Sequence, residues 1–308
     1  MTTQLKTNAL SAVAKAQRPT AASRWHTLTP YLFLLPALAL FAVYVIAPIF
    51  QSIWISFFEW DGIGDKTFIG LGNYAELLED PQFWTSLWNN VLWLVFFMLA
   101  VPIGLGVALF LNQQVLGIRA VKSLFFFPFV ISQVIVGVVF SWFYDPSYGL
   151  LQRFLGFFGV DPIPILASET LVTYGIIAAG LWPQIAYTMI LYLTGLNNLN
   201  PDQIEAARMD GAHGWTMLWK VIIPQLRPAT FIAMVVTVIG ALRSFDLVAT
   251  MTSGGPWGSS SVLAFFMYEQ AIFSYRMGYG AAIATVLFLI MLVYIGFFLW
   301  RMLRAERG

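Results

Sequence analysis

Six long apolar runs constrain the fold of this chain more than any other feature of its sequence. Each run is close to the roughly 20 apolar residues that an α-helix needs to cross a bilayer. Of the 308 residues, 59% are hydrophobic and only 10% are charged, whereas a soluble domain carries about a quarter of charged residues. We therefore predict an all-α membrane protein with six transmembrane helices, at residues 31–53, 87–111, 124–144, 171–193, 229–250 and 279–303.

Helices are expected rather than barrel strands, because lipid offers no partner to an unpaired backbone group and these runs are long and continuous. The first run is long enough to span, and no small-residue cleavage site follows it. That favours a retained helix over a cleaved signal peptide. The stretch DPQFWTSLWNN (80–90) predicts a separate surface helix that anchors the second span, capped by Asp80. Its Phe83, Trp84 and Trp88 are expected in the interfacial aromatic belt.

The basic residues predict the orientation of the spans. Of the 16 Lys and Arg residues, 12 fall on one side of the predicted membrane, in the two tails and in the loops after the second and fourth spans. We predict that this side is cytoplasmic. Residues 1–30 and 304–308 are then cytoplasmic tails of one transmembrane domain at 31–303, and 200–228 is a cytoplasmic loop.

Composition disfavours several kinds of site. A net charge of +1 offers no basic surface for nucleic acid. There is no cysteine, and His26 and His213 are far apart in sequence, so neither a thiolate nor a histidine metal site is expected. No GxxxxGK[ST] motif is present, so we expect no nucleotide to bind by that route. With no catalytic cluster visible in or beside the spans, we predict that the chain is not an enzyme and binds no cofactor.

The densest group of charged residues lies in EAARMDGAHGWTMLWKVIIPQLRP (205–228), within the predicted cytoplasmic loop. Asn200 and Pro201 are typical of a helix start, and Gly211 can take the left-handed conformation that ends a helix. A second helix is expected from about Gly214. Its apolar stripe should pack under the spans or at the lipid interface, and comprises Trp215, Leu218, Trp219 and Ile222.

The first helix of this loop is expected to point Glu205, Ala206, Ala207 and Arg208 outward. The two alanines allow another surface to approach the backbone closely, and the flanking charges add oriented polar contacts. Judged by residue types alone, the loop is either a docking element or an ordinary amphipathic connector.

The order of residues in this loop resembles the signature loop of permease subunits of binding-protein-dependent ABC importers. The pattern is E-A-A-x-x-D-G-A followed by I-x-P-x-x-x-P, and ends at Pro228. FIGLGNYAELLEDPQFW, FDLVATMTSGGPWGSSS and the first span resemble the sugar-importer branch, of the maltose and glycerol-3-phosphate type, and the first of its two permease types. The resemblance covers nearly all of 31–303. The extra spans and large outer domain of the maltose-type member are absent, so the chain resembles the shorter, six-span form.

The resemblance implies the type I permease fold of ABC importers and a complex in which separate subunits hydrolyse ATP, form the pathway and deliver the solute. A coupling helix would fill a cleft in one of two cytoplasmic ATPase subunits, which would bind ATP and Mg²⁺. A second permease subunit would complete a heterodimer, and an extracytoplasmic solute-binding protein would deliver a sugar. The coupling residues implied are Glu205, Ala206, Ala207, Arg208, Asp210, Gly211, Ala212 and Pro224.

Polar and small residues of the fourth and fifth spans form the candidate substrate pathway, because polar groups inside spans are costly and usually face a cavity or a partner. Pro183 is expected to kink the fourth span beside them. The resemblance also indicates that these parts face the sugar. The alternative is close helix packing on small residues. The candidates are Gly180, Trp182, Gln184, Tyr187 and Thr188 in the fourth span, and Thr237, Gly240, Ala241 and Ser244 in the fifth.

Arg243 and Asp246 complete the pathway candidates. They lie three residues apart in the predicted fifth span, where they could form a structural ion pair. Alternatively, an arginine beside the pathway would favour an anionic sugar derivative. Just after them, TSGGPWG (252–258) gives the backbone freedom at the outer end of the span. A turn, a flexible gate and a contact for the solute-binding protein all fit this stretch.

A self-sufficient secondary transporter of a polar solute is the alternative function. Such proteins often contain inverted repeats and intramembrane acids that couple to ions. No repeat is visible here, and Asp246 is the only acid well inside a predicted span.

Overall fold

The computed structural model describes residues 21–113 and 116–307. Most of the predicted N-terminal tail, up to residue 20, lies outside these ranges, and the chain is helical from Ala21 onward. Contacts divide the chain into two compact units, up to Trp54 and from Ile55. The first unit is essentially one helix, α1, which runs over Ala21–Phe41, a π-helical segment Ala42–Ile46, and Ala47–Ile55. Its apolar side chains are exposed from Tyr31 onward, as suits a helix in lipid.

The second unit opens with a two-stranded antiparallel hairpin of β1 (Phe58–Glu59) and β2 (Thr67–Phe68), and a short helix α2 (Gly72–Glu79). The second span then comprises α3 (Pro81–Phe97) and α4 (Ala100–Leu111). Asp80 caps α3 as predicted, because its carboxylate accepts a hydrogen bond from the Gln82 N–H at 2.8 Å.

The helix start predicted at Asp80 is confirmed, but the helix is not separate from the second span. Residues 81–90 begin α3 itself, within one apolar helical stretch, Pro81–Leu111, that is long enough to cross a membrane. Phe83 is buried in the core instead of lying in an aromatic belt, whereas Trp84 and Trp88 are exposed. Its polar residues Asn89 and Asn90 can be buried within the fold because they form hydrogen bonds with the backbone of Ser261 and Leu263.

The third span is sharply bent. It consists of α5 (Ile118–Val130) and α6 (Gln133–Tyr144), which meet at 99°. Ser132 has an extended backbone and its hydroxyl caps the Ile135 N–H at 3.4 Å, so α6 starts as a new helix. The single straight span predicted at 124–144 is therefore two helices.

A short helix α7 (Leu150–Phe157) and a 3-10 segment (Ile165–Ala167) lead into α8 (Val172–Asn197), the fourth span. Helix α8 continues without interruption past Pro183, which is buried. It packs centrally: Ile176 lies in one apolar core and Met189 in the other.

Two loop helices, α9 (Pro201–Met209) and α10, precede the fifth span. Helix α10 runs over Gly214–Met217, a π-helical segment Leu218–Ile222 and Ile223–Gln225, and meets α11 (Arg227–Leu242) at 69°. A break then separates α11 from α12 (Phe245–Met251), so the continuous helix predicted at 229–250 is wrong.

The chain ends with α13 (Leu263–Tyr268, continued by π-helical Glu269–Phe273) and the sixth span α14 (Met277–Arg307). Among the described residues, four helices are long and apolar enough to cross a membrane, and six spans result if each bent pair is one span.

Candidate functional site

The loop before the fifth span has the two-helix form that its sequence predicts. The Asn200 side chain accepts a hydrogen bond from the Asp202 N–H at 3.0 Å and so caps α9. Gly211 ends the helix with a left-handed backbone, φ +82°. The Gln225 side chain, at the end of α10, accepts a hydrogen bond from the Asn200 N–H at 3.2 Å. The start of α9 is thus tied to the end of α10.

Helix α9 presents its polar residues to the surroundings. Glu205, Ala206 and Arg208 are exposed, and Ala207 is half-buried. Asp210 and Gly211 are also exposed, whereas Ala212 and Pro224 are half-buried. The signature residues therefore form an accessible surface at the tip of the loop.

The predicted apolar stripe of α10 packs on the spans of this chain only in part: Ile222 lies against the apolar core that contains Met189 and Leu226, and contact of the stripe with the lipid interface stays a prediction. Trp215 and Trp219 are 74% and 60% exposed and stack on each other, with ring centroids 6.4 Å apart. Met217 is the buried residue instead. Trp215 and Trp219 share one face, as their spacing predicts, and the π-helical segment Leu218–Ile222 begins within the same helix.

A cavity of about 320 Å³ lies where α3, α6, α8, α11 and α12 meet. Six predicted pathway residues line it: Gln184, Tyr187, Gly240, Arg243, Ser244 and Asp246. The Gln184 amide donates a hydrogen bond to the Thr237 hydroxyl at 2.9 Å, which links α8 to α11. The Tyr187 ring stacks on Phe129 with centroids 5.0 Å apart. These contacts hold polar and aromatic groups at the cavity wall.

The other predicted pathway residues do not line this cavity. Thr188 is fully buried and donates to the Ala100 carbonyl at 2.7 Å, so it joins α8 to α4. Gly180 allows close packing, because an added Cβ would lie 2.9 Å from the Leu247 side chain. Thr237 and Ala241 are fully buried behind the wall. Gly180, Thr188, Thr237 and Ala241 therefore serve close helix packing, which was the alternative to a role in the substrate pathway.

Trp182 belongs to a different cavity. That cavity measures about 310 Å³ and its lining is almost entirely apolar, including Leu124, Phe127 and Met189. Trp182 faces away from Gln184 because the two side chains, two residues apart, point to different sides of an α-helix.

The ion pair expected between Arg243 and Asp246 is not present. Helix α11 ends at Leu242, and Arg243 and Ser244 adopt non-helical backbone angles before α12 begins at Phe245. The i, i+3 spacing that would bring the two side chains together is therefore lost. Both residues are exposed and both line the cavity, so each charge remains available to a ligand.

Sequence reasoning missed six cavity residues, of which Trp93 and Gln133 carry polar groups. The Trp93 Nε1 and Gln133 Oε1 atoms are buried and make no hydrogen bond within the described chain. Buried polar groups in proteins are nearly always paired, so these two unpaired atoms beside the cavity are exceptions that call for an explanation. The sequence offered a signal for Gln133, because the residue before it, Ser132, is of a type that starts helices. It offered none for Trp93, which could not be distinguished from the other apolar residues of its span.

Residues 89–306 match the family of binding-protein-dependent transport system inner membrane components. The chain belongs to this family. A probable ABC transporter permease of Pyrococcus horikoshii is 37% identical over 86% of this chain and 92% of its own. The trehalose/maltose transport system permease MalF of Thermococcus litoralis is 32% identical over 85% of this chain and 89% of its own.

The fold agrees with this membership. In the crystal structure of a bacterial alginate ABC transporter in complex with a periplasmic protein that holds an alginate pentasaccharide, one chain superposes with a TM-score of 0.78. It is 21% identical, and the match covers 89% of this chain and 95% of that one. The protein is thus a multi-pass inner-membrane permease subunit of an ABC importer with the type I fold. The matched region contains α9, α10 and every residue that lines the cavity.

Proposed function

We propose that this permease moves a sugar, delivered by a solute-binding protein, through the cavity between α8 and α11. The observation that carries the proposal is the composition of the cavity wall, where amide, guanidinium and carboxylate groups stand beside aromatic rings. A sugar needs hydrogen-bond partners for its hydroxyl groups and a flat apolar surface for its ring face. The permease of Thermococcus litoralis named for trehalose and maltose supports the sugar class.

The charges of the cavity favour an uncharged sugar over an anionic one. Arg243 and Asp246 are the only charged residues of the lining, and their formal charges cancel. Since they do not pair with each other, Arg243 can donate to a hydroxyl oxygen and Asp246 can accept from a hydroxyl group. An anionic sugar would gain from Arg243 but be repelled by Asp246.

Helix α9 is proposed as the coupling helix. Its exposed Glu205, Ala206 and Arg208 would sit in a cleft of one of two ATPase subunits that bind ATP and Mg²⁺. This assignment places α9 and both chain ends in the cytoplasm, in agreement with the excess of basic residues there. A second permease subunit would supply the other half of the pathway.

The proposal is tested by uptake of radiolabelled sugars into proteoliposomes that contain the whole importer and enclose ATP. A panel of neutral mono- and disaccharides and of uronic acids identifies the class. The double variant Gln184→Ala, Tyr187→Ala should reduce uptake at least tenfold while ATPase subunits still co-purify. The control Thr194→Ala, an exposed residue later in α8, should behave as wild type.

Two results would contradict the proposal. Wild-type uptake by the double variant would remove the cavity from the pathway. Transport by this chain purified without an ATPase subunit would instead support a self-sufficient transporter.

A further inference from the structure

The loop between α12 and α13 is firmly attached to α3. The Asn89 amide donates hydrogen bonds to the carbonyls of Ser259 at 2.7 Å and Ser261 at 2.8 Å. The Gln82 amide, about two helical turns earlier on α3, donates to the Gly258 carbonyl at 3.0 Å. These residues are more than 165 positions apart in sequence, so the tertiary fold sets the shape of the loop.

Further bonds fix the loop from other sides. The Thr173 hydroxyl of α8 donates to the Ser259 carbonyl at 3.3 Å, and the Asn90 side chain accepts from the Leu263 N–H at 2.9 Å. Inside the loop, the Ser260 hydroxyl lies 2.6 Å from the Gly255 carbonyl. Hydrogen bonds therefore hold the stretch TSGGPWG in the conformation described, and a role as a gate stays a prediction.

One large side chain projects from this bonded loop. Trp257 is 92% exposed, although between residues 249 and 266 Ser253 is the only other residue with an exposed side chain. Its backbone has φ +52°, a left-handed conformation that non-glycine residues rarely adopt. Trp is usually well buried. Hydrogen bonds and an unusual backbone conformation thus hold the indole ring of Trp257 away from the surface of the protein.

Trp257 and the coupling helix lie at opposite ends of the spans. Thr173, which touches the loop, is near the start of α8, whereas α9 follows the end of α8 by four residues. Helix α8 has 26 residues, which corresponds to about 39 Å at 1.5 Å per residue. If α9 faces the cytoplasmic ATPase, Trp257 faces the compartment from which a solute-binding protein approaches.

We propose that Trp257 is a fixed contact for the solute-binding protein. Tryptophan is one of the residue types enriched among the contacts that dominate the binding energy of protein interfaces. Lipid is a less suitable partner, because the neighbours of Trp257 are glycine, proline and serine, whereas Trp84 and Trp88 lie on an apolar spanning helix. The proposal rests on the proposed function, since it needs α9 to face the ATPase.

The experiment titrates the complete importer in nanodiscs with the solute-binding protein of the same transport system, with and without a sugar that this protein binds. The readout is the concentration of binding protein that gives half-maximal stimulation of ATP hydrolysis. Trp257→Ala should raise this concentration at least tenfold and leave the unstimulated ATPase rate unchanged. The control Trp88→Ala, which removes a 61% exposed indole from α3, should leave it unchanged.

A second variant tests whether the position of the indole matters. Gly258 has φ +78°, and an added Cβ would lie 2.3 Å from the Gln82 side chain, so Gly258→Ala should displace the loop while retaining Trp257. It should weaken the response to the binding protein as Trp257→Ala does. Trp257→Phe, which keeps an aromatic ring at the same place, should restore most of the response.

The proposal is overturned if Trp257→Ala responds to the binding protein as wild type does. It is also overturned if Trp88→Ala shifts the titration equally, which would indicate a general effect of lipid contact, or if Trp257→Ala reduces co-purification of the second permease subunit. Failure of the proposed function has a different signature, because the wild-type importer would then show no stimulation by any binding protein.

Discussion

At the scale of single residues, the polar side chains of the cavity wall differ in whether they have a hydrogen-bond partner. Gln184 is bonded to Thr237, and it holds two spans together as much as it lines the wall. Arg243, Asp246, the Trp93 indole and the Gln133 carbonyl oxygen have no such bond within the described residues. Arg243 and Asp246 are exposed and can therefore meet a ligand without breaking internal contacts, whereas the Trp93 and Gln133 atoms are buried in this conformation.

A substitution at Gln133 can distinguish a role in ligand binding from a role in stabilising the fold. Replacing it by Met keeps its approximate size but removes a buried oxygen that has no partner, so the variant should unfold thermally at the same temperature or slightly higher. Uptake of the transported sugar should fall about fivefold or more. Reduced stability together with normal uptake would show that Gln133 serves the fold and not the ligand.

At the scale of elements, α9 shows how a local sequence can specify a surface. Its cap at Asn200 and its stop at Gly211 both act within a few residues, so they form as predicted. The surroundings of the α10 stripe were less predictable, because tertiary packing places Ile222 against an apolar core but leaves Trp215 and Trp219 exposed.

Reversal of the charge at Glu205 tests the coupling role of α9. Glu205→Lys should reduce ATP-driven uptake at least tenfold, since an exposed acid of the proposed contact becomes a base, while insertion into the membrane and sugar binding remain. Gln203→Lys, on the same helix and also exposed, is the matched control and should retain uptake. Equal losses in both variants would indicate a general charge effect on the loop.

The contact between α4 and α8 depends on a glycine. An added Cβ at Gly104 would lie 2.1 Å from the Thr188 hydroxyl and 2.9 Å from the Met189 backbone nitrogen, which cannot move aside. Gly104→Ala should therefore destabilise the folded permease by about 1–3 kcal/mol. Gly106, two residues later, has nothing within 4 Å of such a Cβ. Thermal unfolding in detergent should distinguish the two alanine variants, and similar melting temperatures would contradict the packing.

At the scale of the whole molecule, polar side chains of α3 link parts of the chain that are distant in sequence. Asn89 bonds to the loop after α12, more than 165 residues away, and Asn90 bonds to the start of α13. In a membrane protein such amides are costly unless they are paired. Here they connect the second span to the region between the fifth and sixth.

Removal of the Asn89 amide should loosen this connection. Asn89→Ala removes a donor from the Ser259 and Ser261 carbonyls, although Ser259 keeps the Thr173 hydroxyl. The change should cost about 1–3 kcal/mol of stability, with faster hydrogen exchange confined to the loop that carries Trp257. Thr85→Ala, an exposed change on the same helix, should alter neither. Unchanged exchange in Asn89→Ala would mean that the loop is held by its other bonds alone.

By itself, the sequence determined the membrane class, the number of apolar runs, the caps of α9 and the order of signature residues in its loop. These features depend on hydropathy and on interactions between residues close together in the chain. Only the tertiary structure decided that the fifth span is broken after Leu242, that Arg243 and Asp246 stand apart, and that Thr188 packs against α4 while Gln184 reaches the cavity. The sequence shows which residues share one face of a helix. Which of those residues meet a neighbouring helix and which line a cavity depends on segments that are far away in the chain. The projection of Trp257 is decided in the same way, because the amides that hold its loop belong to a different span.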